Sequence, residues 1–299
     1  MNKKTLTFIA LAVGIFAIIV ALFAIFRPDF ASNGKLNVTA SSGVWGGIAK
    51  QIGGDHVNVT SILDDPSADP HLYESGAKDA SSITRADVVI ANGLGYDDFM
   101  DKVLETSKNS NRAYIKVSDV LKSEANTNPH LWYDIQNIQQ VAGAFEAAMS
   151  EKDPEHSAEY KKNLSIFVDS LQPLIMMLDS IRTEHAGATV AETERVAGYL
   201  LDAANLRTVS PEGFAAAIEE GNEPSPSDQA AMRELITGKK IKALIYNGQA
   251  ESEVTQSIRT LAEQNGVPVV GVSETPPKNM RYQEWQLSML ESLLRALNG

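Results

Sequence analysis

One long helical stretch in the middle of the chain, with short β-rich runs alternating with helices on both sides of it, limits the possible folds most. Asp153-Pro154 supplies a candidate N-cap followed by a proline at the first helical position. Apolar residues then recur at Tyr160, Leu164, Phe167, Val168, Leu171, Ile175, Leu178 and Ile181, in the steps of three and four that mark one helix face. His185-Ala186-Gly187 offers a glycine to end it, and Pro173 in its interior is expected to kink it. About 30 residues at about 1.5 Å each make a rod of roughly 45 Å. That is more than one sheet needs for cover, so the stretch is expected to connect two lobes.

Before it, Leu36–Ala40, Val57–Leu63, Asp87–Ala91 and Ala113–Val117 read as strands, and Gly43–Ile52 and Ile135–Met149 as helices. After it, Ala188–Ala191, Lys242–Asn247 and Val267–Val272 read as strands. Arg195–Ala204, Ser225–Thr237, Ser252–Asn265 and Tyr282–Leu297 read as helices. Such βα alternation predicts an α/β fold whose parallel sheets are covered by helices. The expected organisation is an N-terminal signal or membrane anchor with linker over 1–35, a βα lobe over 36–152, the connecting helix over 153–186 and a second βα lobe over 187–299. No sequence repeat relates the two halves.

The N-terminus carries its own signal. Asn2-Lys3-Lys4 is a basic start, and Phe8 to Phe26 runs without a charge. That run is long for the core of a signal peptide and sufficient to span a bilayer. The lysines before it are expected to stay cytoplasmic, which exports everything after it. A small-x-small cleavage site is poor, because Asp29 precedes Ala31 and Leu22 precedes Ala24. An uncleaved tether is therefore expected ahead of a cleaved signal. The chain contains no cysteine, which excludes disulfides, thiolate metal sites, Fe–S clusters and a lipid-modified cysteine. The net charge of −12 argues against nucleic acid as a partner.

In open α/β sheets ligands bind beyond the carboxyl ends of the strands. Metal-competent residues at such places are few. His71 lies in Asp69-Pro70-His71-Leu72-Tyr73, and His130 in Asn128-Pro129-His130-Leu131-Trp132-Tyr133-Asp134. In each, the proline fixes the backbone before the imidazole. Glu194 and Glu274 follow strands of the second half, with Glu192 and Glu251 as nearby alternatives. Glu194 also reads as a helix-cap carboxylate, and Glu274 as part of a turn before Pro276-Pro277. Asp134 is expected to orient an imidazole or its loop. Asn92-Gly93-Leu94-Gly95 lacks the spacing of a phosphate loop and reads as a strand-end turn. His56, His156 and His185 read as solvated side chains, and Trp45, Trp132 and Trp285 as packing.

These residues resemble the substrate-binding proteins of ABC importers that capture manganese, zinc or iron. The resemblance spans nearly the whole exported chain and rests on Asp-Pro-His-x-Tyr at 69–73, Pro-His-Leu-Trp-x-Asp at 129–134, Asn-Gly-Leu-Gly at 92–95 and the long central helix. It implies that His71 and His130 are ligands, that the carboxylates of Glu194 and Glu274 complete the set, and that one ion lies in a cleft between two lobes. It also implies hand-over to a membrane permease. The chain departs from the family where Ser75-Gly76-Ala77 replaces a usual Pro-x-Pro, where Asn128 replaces a common Asp, and where the fourth ligand is Glu rather than Asp.

The expected function is non-enzymatic capture of one divalent transition metal ion, with the carboxylates giving Mn a slight preference over Zn or Fe. A monomer outside the cytoplasm is expected, with the permease as partner. The alternatives are an exported metallohydrolase, which lacks a His-Glu-x-x-His helix or a Gly-x-Ser-x-Gly elbow here, and a surface adhesin with an incidental metal.

Overall fold

The computed structural model describes residues 34–67, 70, 73–125 and 127–299. The uncharged N-terminal run and His71 lie outside these residues. Strands β1 (Leu36–Ser42), β2 (Val57–Leu63), β3 (Val88–Ala91) and β4 (Ala113–Lys116) form one four-stranded sheet. Strands β5 (Thr189–Glu192), β6 (Arg207–Thr208), β7 (Ala243–Asn247) and β8 (Val269–Val272) form a second. Every pairing is parallel. The α/β class with two parallel sheets is therefore as expected from sequence.

The strand orders are β2-β1-β3-β4 and β6-β5-β7-β8, so the two sheets share one winding. In each, the chain steps from its first strand to one side and then crosses to the other. The winding reverses between β1 and β3 and again between β5 and β7. At such reversals the loops leave in opposite directions and open a crevice beyond the carboxyl ends of the strands. β3 and β7 lie inside their sheets with every residue buried, which is why Val88–Ala91 and Ala243–Asn247 are nearly all apolar rather than alternating.

Twelve helices join and cover the strands among the described residues. Those of the first part are α1 (Gly43–Gly53), α2 (Ala77–Arg85), α3 (Asp98–Thr106), α4 (Val117–Leu121), α5 (Ile138–Lys152), α6 (Ser157–Ser170) and α7 (Gln172–His185). They are followed by α8 (Gly198–Ala203), α9 (Glu212–Glu219), α10 (Pro226–Thr237), α11 (Glu253–Gln264) and α12 (Tyr282–Asn298). The expected long helix is present as a 32-residue helical run, Pro154–His185, in which the single residue Leu171 separates α6 from α7. Proline has no N–H to give the carbonyl of Asp169, so Pro173 ends one run and takes an early position of the next, where that N–H is not needed. The expected cap is also different. Asp153 makes no side-chain cap bond; its carboxylate accepts from the Tyr160 hydroxyl (2.7 Å) and contacts the His156 ring at 2.7 Å.

The main apolar core runs through both sheets, beside two smaller clusters, one around Phe214 and Leu244 and one around Ile83 and Val89. Val38 and Ile90 of the first, Val190 and Ile245 of the second, and Phe167, Leu174, Leu178 and Ile181 of α6 and α7 belong to it. Trp45, Trp132 and Trp285 are fully buried there, as packing. The last helix, α12, packs on α7, β8, β7 and α1, so it touches elements of both halves.

Candidate metal centre

His130 is the first fixed point of the site. Its backbone is set by Pro129, whose carbonyl accepts from the Asn92 side-chain amide at 2.8 Å. The imidazole is fully buried, edge-on to Trp132 with ring centroids 5.4 Å apart. Its Nδ1 lies 2.7 Å from Asn128 Oδ1, which also accepts from the His130 backbone N–H at 3.0 Å. The Asn128 amide nitrogen donates to the Arg195 carbonyl at 2.6 Å, which identifies the oxygen as the atom facing the ring. An amide oxygen only accepts, so Nδ1 carries a ring proton, and Nε2 is the ring atom turned towards Glu274. The residue orienting the imidazole is therefore Asn128. Asp134 instead accepts from the backbone and side chain of Asn137 and shapes the entry to α5.

The loop holding His130 is tied to the second half at several points. The Tyr199 hydroxyl donates to the Asn128 carbonyl, the Tyr133 hydroxyl to the Ser273 carbonyl and the Tyr282 hydroxyl to the Trp132 carbonyl, each at 2.7 Å. Ser273 immediately precedes Glu274, so the Tyr133 bond sets the His130 loop against the Glu274 loop.

Glu194 leaves β5 in an extended conformation and heads the 3-10 turn Arg195–Ala197. Its side chain makes no cap bond there, so the helix-cap reading does not hold. Its Oε2 accepts from the Asn247 amide at 2.6 Å. Glu274, beyond β8, accepts from the same amide through Oε1 at 3.0 Å, and its Oε2 lies 3.5 Å from His130 Nε2. Glu194 and Glu274 are both buried. One donor atom from each of His130, Glu194 and Glu274 lies within 4.8 Å of the others. Two carboxylates drawn out of water so close together repel one another. A divalent cation held among the three side chains would offset both charges.

Amides and a phenol complete the cradle, and sequence reasoning singled out none of them for it. Asn247 ends β7, at the reversal of winding, and reaches both carboxylates. The Gln249 side-chain oxygen accepts from the backbone N–H of Glu274, and its amide donates to Thr275 Oγ1 at 3.0 Å. Tyr96 hydrogen-bonds Glu274, and burial first, then the charges of Glu274 and Asp97, push its phenol far above the ordinary range. Tyr96 is aimed by the Asn92–Gly95 turn, in which Gly93 takes φ 87° and the Asp97 carboxylate accepts from its N–H at 2.8 Å. The turn reading holds, with a carboxylate where a phosphate loop would hold its anion. Position at a strand end could have flagged Asn247 and Tyr96; residue type could not.

The other candidates fall elsewhere. Glu192 is buried, its carboxyl is pushed up to about 8 by burial and by Asp202, and it lines a cavity of about 340 Å³ with Asn128, Tyr199 and Asp202. Glu251 accepts from the Tyr246 hydroxyl and pairs with Arg259. His56 and His156 stack with ring centroids 3.7 Å apart, and each meets a carboxylate, Glu159 and Asp153 respectively. For His71, its described neighbours Pro70 and Tyr73 line a cavity of about 180 Å³ that also includes Thr275, the residue after Glu274.

Comparison with known proteins gives a consistent picture. The family described as ZnuA, zinc-uptake complex component A, periplasmic, matches residues 38–296. The manganese ABC transporter substrate-binding lipoprotein scaA of Streptococcus gordonii is 26% identical over 256 residues, covering 80% of this chain and 79% of that protein. The manganese-binding lipoprotein MntA of Bacillus subtilis is 26% identical over 269 residues, covering 84% and 85%. Among solved structures, the periplasmic zinc binding protein TroA of Treponema pallidum superposes with a TM-score of 0.75 at 19% identity, covering 88% of this chain and 99% of that one. FpvC of Pseudomonas aeruginosa in complex with Mn2+ superposes with a TM-score of 0.71 at 22% identity, covering 88% and 98%. At these identities the two structures establish a shared fold.

Proposed function

This chain belongs to the ZnuA family of zinc-uptake complex components, and from that premise we propose that it captures one divalent transition metal ion outside the cytoplasm and delivers it to the permease of an ABC importer. The relatives above are transport proteins that bind substrate, and the chain is read here in the same way, as a carrier and not an enzyme. The observation that carries the reading is the meeting of His130, Glu194 and Glu274 at one buried point. His71 is proposed as the fourth ligand, because its flanking residues and Thr275 border one cavity.

Four protein donors fill a shell and leave no open position for an activated water, which favours binding over hydrolysis. Two imidazoles and two carboxylates accept Mn, Zn or Fe(II), and the carboxylates give Mn the slight preference by donor type alone. We place the ion between two lobes, 36–152 and 187–299, connected through 153–186. The relatives named as lipoproteins differ from this chain in one respect, since it has no cysteine to carry a lipid. An uncleaved N-terminal segment is the proposed tether.

Equilibrium dialysis of the full chain against Zn2+ and Mn2+ tests the site. The expected result is about one ion per chain, lost in His130→Ala and in Glu194→Gln with Glu274→Gln. Variants that bind as the wild type does would show that the ion lies elsewhere.

A further inference from the structure

We infer that Tyr133 sets how fast a captured ion leaves, by pinning the backbone that carries Glu274 to the loop that carries His130. The inference rests on the capture reading above.

The side chains of His130 and Glu274 are fully buried, and Glu194 is buried beside them. An ion held among the three leaves only when part of this wall moves. The His130 loop is fastened at both ends, by Tyr199 at the Asn128 carbonyl and by Tyr282 at the Trp132 carbonyl. Glu194 follows β5, a strand paired on both edges by β6 and β7. Glu274 is placed differently. It lies two residues beyond β8, which is the edge strand of its sheet, so side chains take over there from the ladder.

The Tyr133 hydroxyl donates to the Ser273 carbonyl at 2.7 Å, and the Ser273 N–H gives to the same oxygen at 3.4 Å. The Gln249 side-chain oxygen accepts from the next two backbone N–H groups, those of Glu274 and Thr275. Gln249 thus ties the segment back to its own sheet, and Tyr133 ties it to the His130 loop. The phenol is a fixed peg: it is buried, the Trp285 ring meets it edge-on at 5.8 Å, and Met289 Sδ lies 3.1 Å from its oxygen. Tyr96 also bonds Glu274, but at the carboxylate itself. The Tyr133 bond is to the backbone one residue earlier, so removing it leaves the partners of the carboxylate in place. Without it, the Glu274 segment parts from the His130 loop more often, and any ion between them escapes sooner.

The test follows release of Zn2+ and of Mn2+ from the full chain into excess chromophoric chelator by stopped flow, in wild type, Tyr133→Phe and Tyr160→Phe. Phenylalanine keeps the ring and removes only the oxygen. Tyr160 is also buried, and its hydroxyl gives a bond of the same length to Asp153 at the start of α6, so its variant controls for the loss of a buried phenol. Both ions are expected to leave Tyr133→Phe faster by about three- to tenfold, the factor that one hydrogen bond contributes, and by the same factor for each. Release from Tyr160→Phe is expected at the wild-type rate. Unchanged release from Tyr133→Phe would overturn the inference. So would acceleration of one ion alone, which would put the effect in the coordination, or equal acceleration in Tyr160→Phe, which would make it general loosening. A Tyr133→Phe chain that does not fold would assign the hydroxyl to the fold and overturn it as well. A wild type that takes up neither ion would overturn the capture reading itself, an outcome distinct from these.

Discussion

Asn128 spends its side-chain oxygen on His130 and its side-chain nitrogen on the Arg195 carbonyl, so one amide sets the imidazole and joins two distant loops. A partner of this kind fixes the tautomer of a ligating histidine, and its loss commonly costs about 10–100-fold in metal affinity. Asn128→Ala is expected to weaken Zn2+ binding within that range in a chelator competition. Asn128→Asp, which keeps an acceptor opposite Nδ1, is expected to retain wild-type affinity or exceed it. Equal loss in both variants would show that the Arg195 contact matters and the ring contact does not. At this scale the site was half legible. The imidazole of His130 announced itself because Pro-His-Leu occurs twice and histidine has few other uses in such a setting. Asn128 stood out only as a departure from a common Asp, and Asn247 and Gln249 gave no signal, since amides are common in loops and their task exists only once strand ends far apart in sequence converge. Glu194 and Glu274 were readable as positions after strands. Their shared donor was not.

Between residues and the whole molecule, the break at Leu171 and the start of α6 show how local chemistry shapes an element. The strands were readable where apolar runs are unbroken, as in Val88–Ala91, and where β-branched residues recur, as in Val57–Leu63, whose limits match the sequence reading. β6 was not, because two exposed residues carry no alternation. Nor were α2 and α3, each of which buries a single residue, Ile83 and Met100. At the start of α6, burial opposes ionisation of Asp153, but the Tyr160 hydroxyl and the His156 ring outweigh it and hold the carboxyl below its usual value. A carboxylate whose folded value is depressed adds stability above its unfolded value, near 3.8, and that stability is lost as pH falls through the folded value. Asp153→Asn is therefore expected to cost about 1 kcal/mol near pH 6, the usual size of such hydrogen bonds. The difference from wild type should vanish as the pH drops well below 4. Denaturant melts at a series of pH values measure it, and a difference independent of pH would assign the effect to packing.

At the scale of the whole molecule, two sheets with one winding share the main apolar core, and α12 packs on elements of both. The side chains that would separate if the halves came apart are Trp132, Tyr133, Trp285 and Met289, all buried. Exposing that surface costs too much for one half to melt while the other stands. Heating the metal-free chain should therefore give one transition, not two. The ion lies on loops from both sheets under the capture reading, so binding should move that transition as a unit. At a free metal concentration about 100 times the dissociation constant, binding adds about 2.7 kcal/mol. For a chain of this size that is roughly 4–5 °C in melting temperature. Calorimetry with Zn2+ and then with excess EDTA should show the whole peak rise and return. A metal-shifted peak beside an unshifted one would mean that the halves unfold separately and that the ion is held by one of them alone.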